Sequence, residues 1–545
     1  MRTVLISVYN KTGIIDFAKE LISLDFKILA SGGTAKHLSE AGVPVEDVAN
    51  MVGGAILGHR VVTLSREVHA GLLAKDNAED REELTKLKIP FIDLVCCDLY
   101  PLEEEIKNPG ATRESVIEKT DIGGPTMIRS GAKGRRIVVC DPIDRNKVIE
   151  WLKSGEKEKD KFLDELAAKA EITVAKYAGV SANYISHGGY ESLVGEKVLK
   201  CAYGENAYQK PASLYKNSSR VPLDKLAIHN WALVAGNPMS YNNFCDLDRM
   251  IQTVTHIGAG FEKNFGDVPF VAIGVKHGNA CGAGVGESAL EAIEKMLTGD
   301  LRAIFGGSVM LNFPVDEKFA EELIHKYAGE GRRLLDIIAA PAFSSDAVEI
   351  LSRKKGKCRI LVNKNIEKAG MHSLDLEQRQ RYVRGGFLLQ PNYTFVPEVK
   401  NKDVLLAWAV GCTSNSNTIT LVKEGRLVGN GVGQQDRVGA AKLAIFRADE
   451  AAEFSEQMKN SPVSSIKDGT FRADNFSADL SGATAYSDSF FPFPDAPEVL
   501  IDRGIKTIFS TSGSINDETV IALCRSKGVE LILLPDSEAR GFFQH

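Results

Sequence analysis

A lysine and a histidine stand side by side where a predicted buried strand gives way to a glycine-rich segment. The apolar run 270–275 predicts the strand, Lys276 and His277 follow it, and four glycines stand among residues 278–286. An imidazole titrates near neutral pH and can accept or return a proton, whereas an ammonium group can hold an anion or supply a proton. Because strand-end loops carry the chemistry of many α/β folds, the pair predicts an acid–base site. A glycine turn with a surface lysine and a packed histidine is the structural alternative.

Two loops near the N-terminus have the composition of phosphate-binding loops. Segments 3–8 and 26–30 predict strands, and the loops after them read Lys11-Thr12-Gly13 and Ser31-Gly32-Gly33-Thr34. Two strand–loop–helix units in succession imply a parallel sheet. Backbone amides at a helix start, together with Ser and Thr hydroxyls, suit a phosphate, and ordinary helix capping is the alternative. Neither loop matches the Walker pattern or the dinucleotide-binding glycine pattern.

The whole chain has the length and composition of a multidomain globular protein. Its 545 residues predict two to four domains, and its net charge of −6 argues against a nucleic-acid scaffold. The nine cysteines include no Cys-x-x-Cys pair, which suits a reducing compartment. No apolar run reaches the roughly 20 residues that cross a bilayer, and the chain starts directly with a predicted strand. We therefore predict a cytoplasmic protein without a membrane segment.

Two further segments carry local predictions. The charged stretch Glu156–Ile185 has helical spacing of its apolar residues. At the other end of the chain, the apolar pair Phe542-Phe543 predicts that the C-terminal residues are docked on the protein rather than frayed.

A series of short motifs runs through the first 190 residues. They are Lys11-Thr12-Gly13, Ser31-Gly32-Gly33-Thr34-Ala35-Lys36, Val68-His69-Ala70-Gly71, Leu99-Tyr100-Pro101, Asp121-Ile122-Gly123-Gly124 and Ala132-Lys133. In this order and spacing they resemble the inosine monophosphate (IMP) cyclohydrolase domain of the bifunctional purine biosynthesis family. The resemblance implies a methylglyoxal-synthase-like parallel-sheet domain over residues 1–190. It implies Tyr100, Asp121 and Lys133 as catalytic residues, and as substrate contacts Lys11, Thr12, Gly13, Ser31, Gly32, Gly33, Thr34, Arg60, Thr63, Ile122 and Gly123.

The rest of the chain resembles the second half of the same family. The matching segments are Tyr203-Gly204-Glu205-Asn206, Ser240–Asp246, Lys276-His277, Ile304–Gly307, Asp336 with Ala340-Pro341, Ser414–Asn417, Gly431–Arg437, Ser487–Asp495 and the terminal His545. The resemblance implies an α/β transformylase region over residues 198–545, made of two cytidine-deaminase-like subdomains without zinc. The implied reaction moves a formyl group from 10-formyltetrahydrofolate to the amine of 5-aminoimidazole-4-carboxamide ribotide (AICAR). It further implies a homodimer with sites at the subunit interface, and allows a potassium ion.

The implied chemistry assigns a task to each catalytic residue type. The amine of AICAR is conjugated and a poor nucleophile, so a base must remove its proton during attack, and His277 is the candidate. Asn417 and Lys276 can donate hydrogen bonds to the tetrahedral oxyanion, or Lys276 can protonate the departing folate nitrogen. Asn417, like Asn415, can instead satisfy local backbone groups. The implied substrate contacts are Tyr203, Gly204, Asn243, Asp336, Arg437, Phe491, Asp495 and His545.

Two of these contacts have structural alternatives. Asp336 can cap a turn before Ala340-Pro341. The segment 490–494, which contains Phe491, can pack a domain edge instead of lining a pteridine slot.

The cyclohydrolase motif departs from the family at positions that carry charge. The usual Arg-Val-Lys-Thr-Leu-His-Pro segment is here Arg60–Arg66, so Val62 replaces the lysine and Ser65-Arg66 replaces His-Pro. Valine cannot stabilise the oxygen charge of the closing carboxamide. Asp98 replaces an Asn and brings a negative charge toward the predicted phosphate loops, and Tyr9 replaces a Ser.

The transformylase segments depart as well. Ala202 replaces a customary Arg, which removes a phosphate contact that the resemblance implies, and Ala207-Tyr208 replaces Pro-His. Our hypothesis is a working transformylase joined to a cyclohydrolase domain that is impaired or chemically different. The alternatives are an N-terminal domain that binds nucleotides without catalysis, a folate-independent formyl donor, and a metal-dependent deaminase. The sequence contains neither the His-x-Glu nor the Pro-Cys-x-x-Cys motif that supplies the zinc ligands of such deaminases.

Overall fold

The structure is a computed structural model that describes residues 1–58, 60–217, 224–328, 331–460 and 476–545. The described residues form two compact units. The first is built on Met1–Glu196, and the second on Lys197–Lys216 together with the chain from residue 224 onward.

The first unit is a parallel sheet that is buried on both faces. In its first strand Val4 and Ile6 belong to one core cluster and Leu5 to another, as the alternation of a strand requires. The strands are β1 (Arg2–Ser7), β2 (Phe26–Ala30), β3 (Glu46–Asp47), β4 (Leu94–Cys97) and β5 (Ile137–Val139). The helices are α1 (Ile14–Ser23), α2 (Gly32–Glu40), α3 (Ala49–Val52), α4 (Arg66–Leu73), α5 (Ala78–Lys86), α6 (Leu102–Lys107), α7 (Arg113–Glu118), α8 (Gly123–Lys133), α9 (Asp144–Lys153) and α10 (Lys159–Ile185).

The strand order of the first unit places its functional loops. The order is β3-β2-β1-β4-β5, and every neighbouring pair is parallel. The chain therefore reverses its direction of travel across the sheet between β1 and β4. Open α/β sheets bind ligands outside the carboxyl ends of the strands at such a reversal. The loops that follow β1, β2 and β4 lie at this end, which confirms the α/β prediction for the N-terminal part.

The second unit is built on a mixed sheet of eleven strands in the order β20-β19-β18-β16-β17-β10-β9-β11-β12-β13-β8. From residue 195 the strands are β6 (Gly195–Lys200), β7 (Ser213–Asn217), β8 (Ala232–Ala235), β9 (Phe270–Lys276), β10 (Asn279–Gly286), β11 (Ser308–Leu311), β12 (Ile337–Ala340), β13 (Arg359–Val362), β14 (Gln378–Val383), β15 (Gly386–Pro391), β16 (Ile419–Lys423), β17 (Arg426–Gly431), β18 (Thr484–Ser487), β19 (Thr507–Ser512) and β20 (Glu530–Pro535). Strands β6 and β7, and strands β14 and β15, form separate two-stranded sheets.

The helices of the second unit are α11 (Tyr241–Phe265), α12 (Ala289–Gly299), α13 (Glu317–His325), α14 (Ser345–Leu351), α15 (Lys402–Cys412), α16 (Arg437–Asn460), α17 (Asp495–Asp502), α18 (Asp517–Ser526) and α19 (Asp536–Ala539). Short 3-10 turns stand at Ile228–Asn230, Lys354–Gly356, Lys364–Lys368 and Met371–Ser373.

The long sheet consists of two copies of one topology. Each copy runs helix, strand, strand, helix, strand, helix, strand, helix, strand, beginning at α11 in the first copy and at α15 in the second. The strand orders are β10-β9-β11-β12-β13 and β17-β16-β18-β19-β20, and the copies meet where β10 pairs with β17. The duplication agrees with the two subdomains that the resemblance implies, whose likeness to cytidine deaminases stays a prediction.

A repeat in the sequence, which our sequence reasoning missed, marks the same duplication. Residues 275–286 and 422–433 share the pattern Val-Lys-x-Gly-x-x-x-Gly-x-Gly-Val-Gly, in which x is any residue. Each segment forms the end of one strand, a tight turn and the antiparallel partner strand. The lysine precedes the turn, the first glycine is the second turn residue, and the later glycines up to Gly286 and Gly431 lie on the strand that a helix covers.

The repeated glycines are required by close helix–strand packing. A Cβ atom on Gly284 would lie 2.4 Å from the carbonyl oxygen of Ala292, and one on Gly431 would lie 2.1 Å from that of Ala440. Because backbone cannot move aside cheaply, we expect Gly284→Ala and Gly431→Ala each to lower the free energy of unfolding by about 1–3 kcal/mol. Thermal melting measures the effect. Gly386→Ala, with no heavy atom within 4 Å of its Cβ position, is the control. Wild-type melting of both variants would contradict the packing argument.

Candidate functional site

His277 lies in a two-residue turn between β9 and β10. Lys276 pairs with Asn279 across the hairpin, and the turn residues His277 and Gly278 have φ angles of +54° and +71°. Positive φ at both central residues matches the twist of a tight hairpin. Few residues other than glycine adopt a positive φ, and histidine is among those that do so most often. The end of a buried strand thus holds the imidazole at the border of the sheet.

Asp246 of α11 supports this turn. The Gly278 amide donates to Oδ1 of Asp246 at 2.8 Å, and the Ser308 hydroxyl donates to Oδ2 at 3.3 Å. Burial raises the pKa of the Asp246 carboxyl, and the two hydrogen bonds and the charge of His277 act in the opposite direction. The Lys276 ammonium donates to the Phe305 carbonyl oxygen at 2.8 Å.

His277 lines a polar cavity of about 620 Å³. Its described walls come from α11, the β9–β10 turn, β14, the loop before β16 and the C-terminal segment, and they contain neither Lys276 nor Asn417. The lining residues are Glu205, Asn242, Cys245, Asp246, Asp248, Arg249, Gln252, His277, Gly278, Asp375, Arg379, Gln380, Asn392, Asn415, Phe543 and Gln544.

The loop before β16 presents Asn415 to this cavity rather than Asn417. The side-chain amide of Asn417 donates to the Gln434 carbonyl oxygen at 2.9 Å. Oδ1 of Asn415 accepts a hydrogen bond from Nη2 of Arg249 at 3.3 Å. Of the three catalytic residues predicted for formyl transfer, this arrangement brings only His277 to the cavity.

The C-terminal segment forms one wall of the same cavity. The Phe543 ring lies between two guanidinium groups, 3.9 Å from that of Arg249 and 3.5 Å from that of Arg379. The Phe543 amide donates to the Ser414 carbonyl oxygen at 2.9 Å. Burial lowers the pKa of Arg249 to about 10. The prediction of a docked C-terminus is confirmed, and the His545 carbonyl oxygen accepts from Arg381 at 3.3 Å.

Arg437, a predicted substrate contact, forms an ion pair with a buried carboxylate. Its Nη1 donates to Oδ1 of Asp488, whose side chain is fully buried. The Thr418 amide donates to the same oxygen at 3.1 Å. Oδ2 of Asp488 has no hydrogen-bond partner among the described residues. The pair therefore ties α16 to the loop that carries the two asparagines.

The remaining predicted contacts of the second unit have local roles in the structure. Asn243 caps α11 through a reciprocal capping box with Ser240. Phe491 is 2% exposed inside a core cluster, and Asp336 accepts from Arg353 at 3.1 Å. The Asp495 carboxylate accepts a hydrogen bond from the Ala496 amide. The Tyr203 carbonyl oxygen accepts from the Tyr241 amide, and the Gly204 amide donates to the Gln209 carbonyl oxygen.

The two phosphate-like loops of the first unit contact each other at the carboxyl ends of β1 and β2. The Ser7 and Ser31 hydroxyls are 2.8 Å apart, and the Lys11 ammonium donates to the Thr34 hydroxyl at 3.0 Å. Burial lowers the pKa of Lys11. A Cβ atom on Gly32 or on Gly33 would meet no heavy atom within 4 Å, so the start of α2 is open.

Asp98 turns toward backbone amides in this structure. The amides of Tyr9 and Asn10 both donate to its carboxylate, the second at 3.3 Å. Nη2 of Arg145 lies 3.9 Å from Oδ2 of Asp98, and Nη1 of Arg145 donates to the Thr12 carbonyl oxygen at 2.7 Å. Burial raises the pKa of Asp98. The negative charge of Asp98, expected near the phosphate loops, is therefore stabilised by two backbone amides and by the Arg145 guanidinium group.

Three of the residues predicted for the cyclohydrolase lie around one cavity of about 910 Å³ between α8 and α10. Asp121, Ile122 and Lys133 line it. Burial raises the pKa of Asp121, whose Oδ1 accepts from the Gly124 amide at 2.8 Å. Tyr100 lies outside the described lining and packs edge-on against Tyr9, with ring centroids 5.5 Å apart.

The segment that departs most from the family pattern lies next to these residues. Val62 is partly buried against a core cluster, and the exposed Arg66 lies 3.2 Å from Glu67. Thr63 is close to Gly123: a Cβ atom added to Gly123 would lie 2.9 Å from the Thr63 hydroxyl oxygen. Arg60 pairs with Glu118 at 3.1 Å on the surface.

The described residues show no membrane-spanning helix and no candidate metal site. None of their helices is both long and apolar enough to span a bilayer. They contain no group of three or more His, Cys, Asp or Glu side chains placed to hold a metal ion.

Comparison with known proteins covers nearly the whole chain. The family described as "AICARFT/IMPCHase bienzyme" matches residues 133–447, and the family described as "MGS-like domain" matches residues 13–126. Bifunctional purine biosynthesis protein PurH of Bacillus cereus (strain 03BB102) is 35% identical over 552 residues, covering 97% of both chains. PurH of Anoxybacillus flavithermus (strain DSM 21510 / WK1) is 34% identical over 560 residues, covering 97% of this chain and 98% of its own.

Among solved structures, the crystal structure of ForH matches 35% of this chain and all of its own, at 31% identity. Its TM-score of 0.32 supports no conclusion about the fold. The family match spans more than half of the chain, and the PurH relatives cover it almost end to end. The chain therefore belongs to the AICARFT/IMPCHase bienzyme family, the family of the bifunctional purine biosynthesis protein PurH.

Proposed function

We propose that the chain performs both steps that its family name describes, in purine biosynthesis. The second unit transfers the formyl group of 10-formyltetrahydrofolate to the amine of AICAR, and the first unit closes the ring of the formylated product to give IMP. The first step is supported by the position of His277, which a tight hairpin turn holds at the wall of a polar cavity of about 620 Å³.

Formyl transfer needs one new bond, one broken bond and one proton relay. The amine nitrogen of AICAR attacks the formyl carbon, and His277 accepts the proton that this nitrogen loses. The carbonyl oxygen becomes an oxyanion that needs hydrogen-bond donors. When the bond from carbon to the folate nitrogen breaks, that nitrogen takes a proton, and the carbonyl forms again. His277 or Lys276 supplies this proton.

Lys276 and Asn417 remain our proposed donors to the oxyanion. Both now donate to backbone carbonyl oxygens, at 2.8 Å and 2.9 Å. To act on the oxyanion, each donor must exchange its carbonyl partner for the substrate. Asn415, unlike Asn417, lines the cavity that contains His277.

We propose a homodimer with its transformylase sites at the interface. The β14–β15 sheet supports this, since it exposes large apolar side chains and carries the cavity residue Arg379. Tyr382 is 77% exposed and Leu388 is 61% exposed. Exposed apolar clusters on otherwise polar surfaces mark interaction sites. We expect Tyr382→Glu combined with Leu388→Glu to convert a dimer into a monomer by analytical ultracentrifugation and to abolish formyl transfer. A wild-type chain that sediments as a monomer would contradict the proposal.

For ring closure we propose Asp121, Lys133 and Tyr100 as the catalytic residues, at a reduced rate. The reduction follows from Val62, which stands where the family pattern has a lysine and packs against a core cluster. Arg66, four residues further on, forms an ion pair with its neighbour Glu67 on the surface. Domain ranges 1–190 and 198–545 and a cytoplasmic location belong to the same proposal. A potassium ion stays a prediction and takes no part in these steps.

The experiment that tests the function supplies the purified full chain with AICAR and 10-formyltetrahydrofolate. The expected products are tetrahydrofolate and formylated AICAR, followed by slower formation of IMP. Turnover with formate or formyl phosphate but not with the folate would favour the folate-independent alternative. Nucleotide binding to the first unit without any IMP formation would favour the non-catalytic alternative.

A further inference from the structure

The two repeated hairpins are held by the same kind of contact. In the second copy the amides of Glu424 and Gly425 donate to the two carboxylate oxygens of Asp403, at 2.8 Å and 2.6 Å. In the first copy the Gly278 amide donates to Asp246 at 2.8 Å. Each carboxylate comes from the helix that precedes its hairpin. A carboxylate clamp on the turn is therefore a general device of this duplicated fold.

The two clamps differ in what else the carboxylate faces. Asp403 uses both oxygens on its turn and lies outside the described lining of the His277 cavity. Asp246 uses one oxygen on its turn, receives the Ser308 hydroxyl on the other and lines the cavity beside His277. The copy that carries the imidazole is thus the copy whose carboxylate reaches the cavity.

The charges around the first clamp favour an interaction between the carboxylate and the imidazole. The positive charge of His277 acts to lower the pKa of Asp246, against the larger effect of burial, and Asp336 acts to raise it. Asp336 precedes β12, and Lys276 of the turn is directed to the Phe305 carbonyl oxygen. The other titratable or charged groups that line the cavity are Glu205, Cys245, Asp248, Arg249, Asp375 and Arg379.

We propose that Asp246 is a positioning residue for formyl transfer. It fixes the turn that holds His277, and its negative charge stabilises the imidazolium that forms when His277 accepts the proton of the amine. The proposal rests on the proposed function of His277. It adds a residue whose effect on the reaction passes through another side chain.

The experiment separates the clamp from the charge. Asp246→Asn keeps an acceptor for the Gly278 amide and removes the charge, whereas Asp246→Ala removes both. We expect Asp246→Asn to lower kcat about tenfold, because the imidazolium that forms on proton transfer loses the favourable effect of the nearby negative charge. The acid limb of its kcat/KM profile should move to lower pH, because the imidazole then stays neutral to lower pH. Asp403→Asn, the matched change at the second hairpin, should leave kcat and the acid limb unchanged.

A second measurement does not depend on turnover. The imidazole signals of His277, followed by NMR against pH, should reach their midpoint at lower pH in Asp246→Asn than in the wild type. Equal midpoints and an unchanged acid limb would overturn the proposal. If the wild type transfers no formyl group while the midpoints differ, the proposed function fails and the Asp246–His277 coupling stands.

Discussion

Replacing His277 by alanine is expected to lower kcat for formyl transfer by about a hundredfold to ten-thousandfold, the usual contribution of a general base. The amine of AICAR is conjugated with its ring and carboxamide, so it attacks a formyl carbon only as its proton departs. Alanine offers no atom that can take this proton. The measurement is the rate at which 10-formyltetrahydrofolate becomes tetrahydrofolate in the presence of AICAR, with the full chain.

Two control variants test whether the loss of activity comes from the missing imidazole or from a destabilised turn. His277 has a φ of +54°, so alanine also strains the turn. Asparagine tolerates this conformation, and His277→Asn should therefore keep the wild-type melting temperature while losing the same activity. His372→Ala, at an exposed position in the same unit, should keep both. A His277→Asn chain that retains more than half of the wild-type kcat would refute the role of the imidazole.

Replacing Val62 by lysine is expected to raise the rate of ring closure about a hundredfold, the lower end of what one oxyanion donor contributes. The carboxamide oxygen gains negative charge as the ring closes, and valine can neither carry charge nor donate a hydrogen bond. Val62 is only partly buried, so a lysine can extend its ammonium group away from the core cluster. Formation of IMP from purified formylated AICAR, followed by absorbance, measures the rate.

Val62→Met is the matched control for this substitution, because it lengthens the side chain without adding a charge. We expect its rate of ring closure to stay at the wild-type value. A wild-type chain that closes the ring as fast as it transfers the formyl group would contradict the impairment. An unchanged rate in Val62→Lys would mean that position 62 does not approach the reacting oxygen.

The helices and strands could be predicted from the spacing of apolar residues. Their exact boundaries depend on backbone conformations that this spacing does not reveal. The apolar spacing over Glu156–Ile185 predicts a helix from its first residue, yet α10 begins at Lys159. Glu156 and Glu158 have φ angles of +56° and +49°, which a right-handed helix cannot accommodate. The duplication was readable from residues 275–286 and 422–433, but only by comparing segments far apart in the sequence.

The site was harder to predict because side-chain partners come from distant segments. The sequence indicates a reactive pair at Lys276 and His277, but the carbonyl that holds the lysine belongs to Phe305. Asn417 and Asn415 stand in one polar loop, and only tertiary contacts decide which amide faces the cavity. The arginine pair around Phe543 and the clamp by Asp246 have no local signal. A carboxylate in the helix preceding each hairpin is the feature that a comparison of the repeats could have found.

The most direct test of the account is a crystal structure of the chain with AICAR and an unreactive folate analogue bound together. We predict that the amine nitrogen lies about 2.6–3.2 Å from a ring nitrogen of His277, within the cavity that Phe543 and Asp246 also line. Nucleotide and pterin bound together in a cavity that excludes His277 would contradict it.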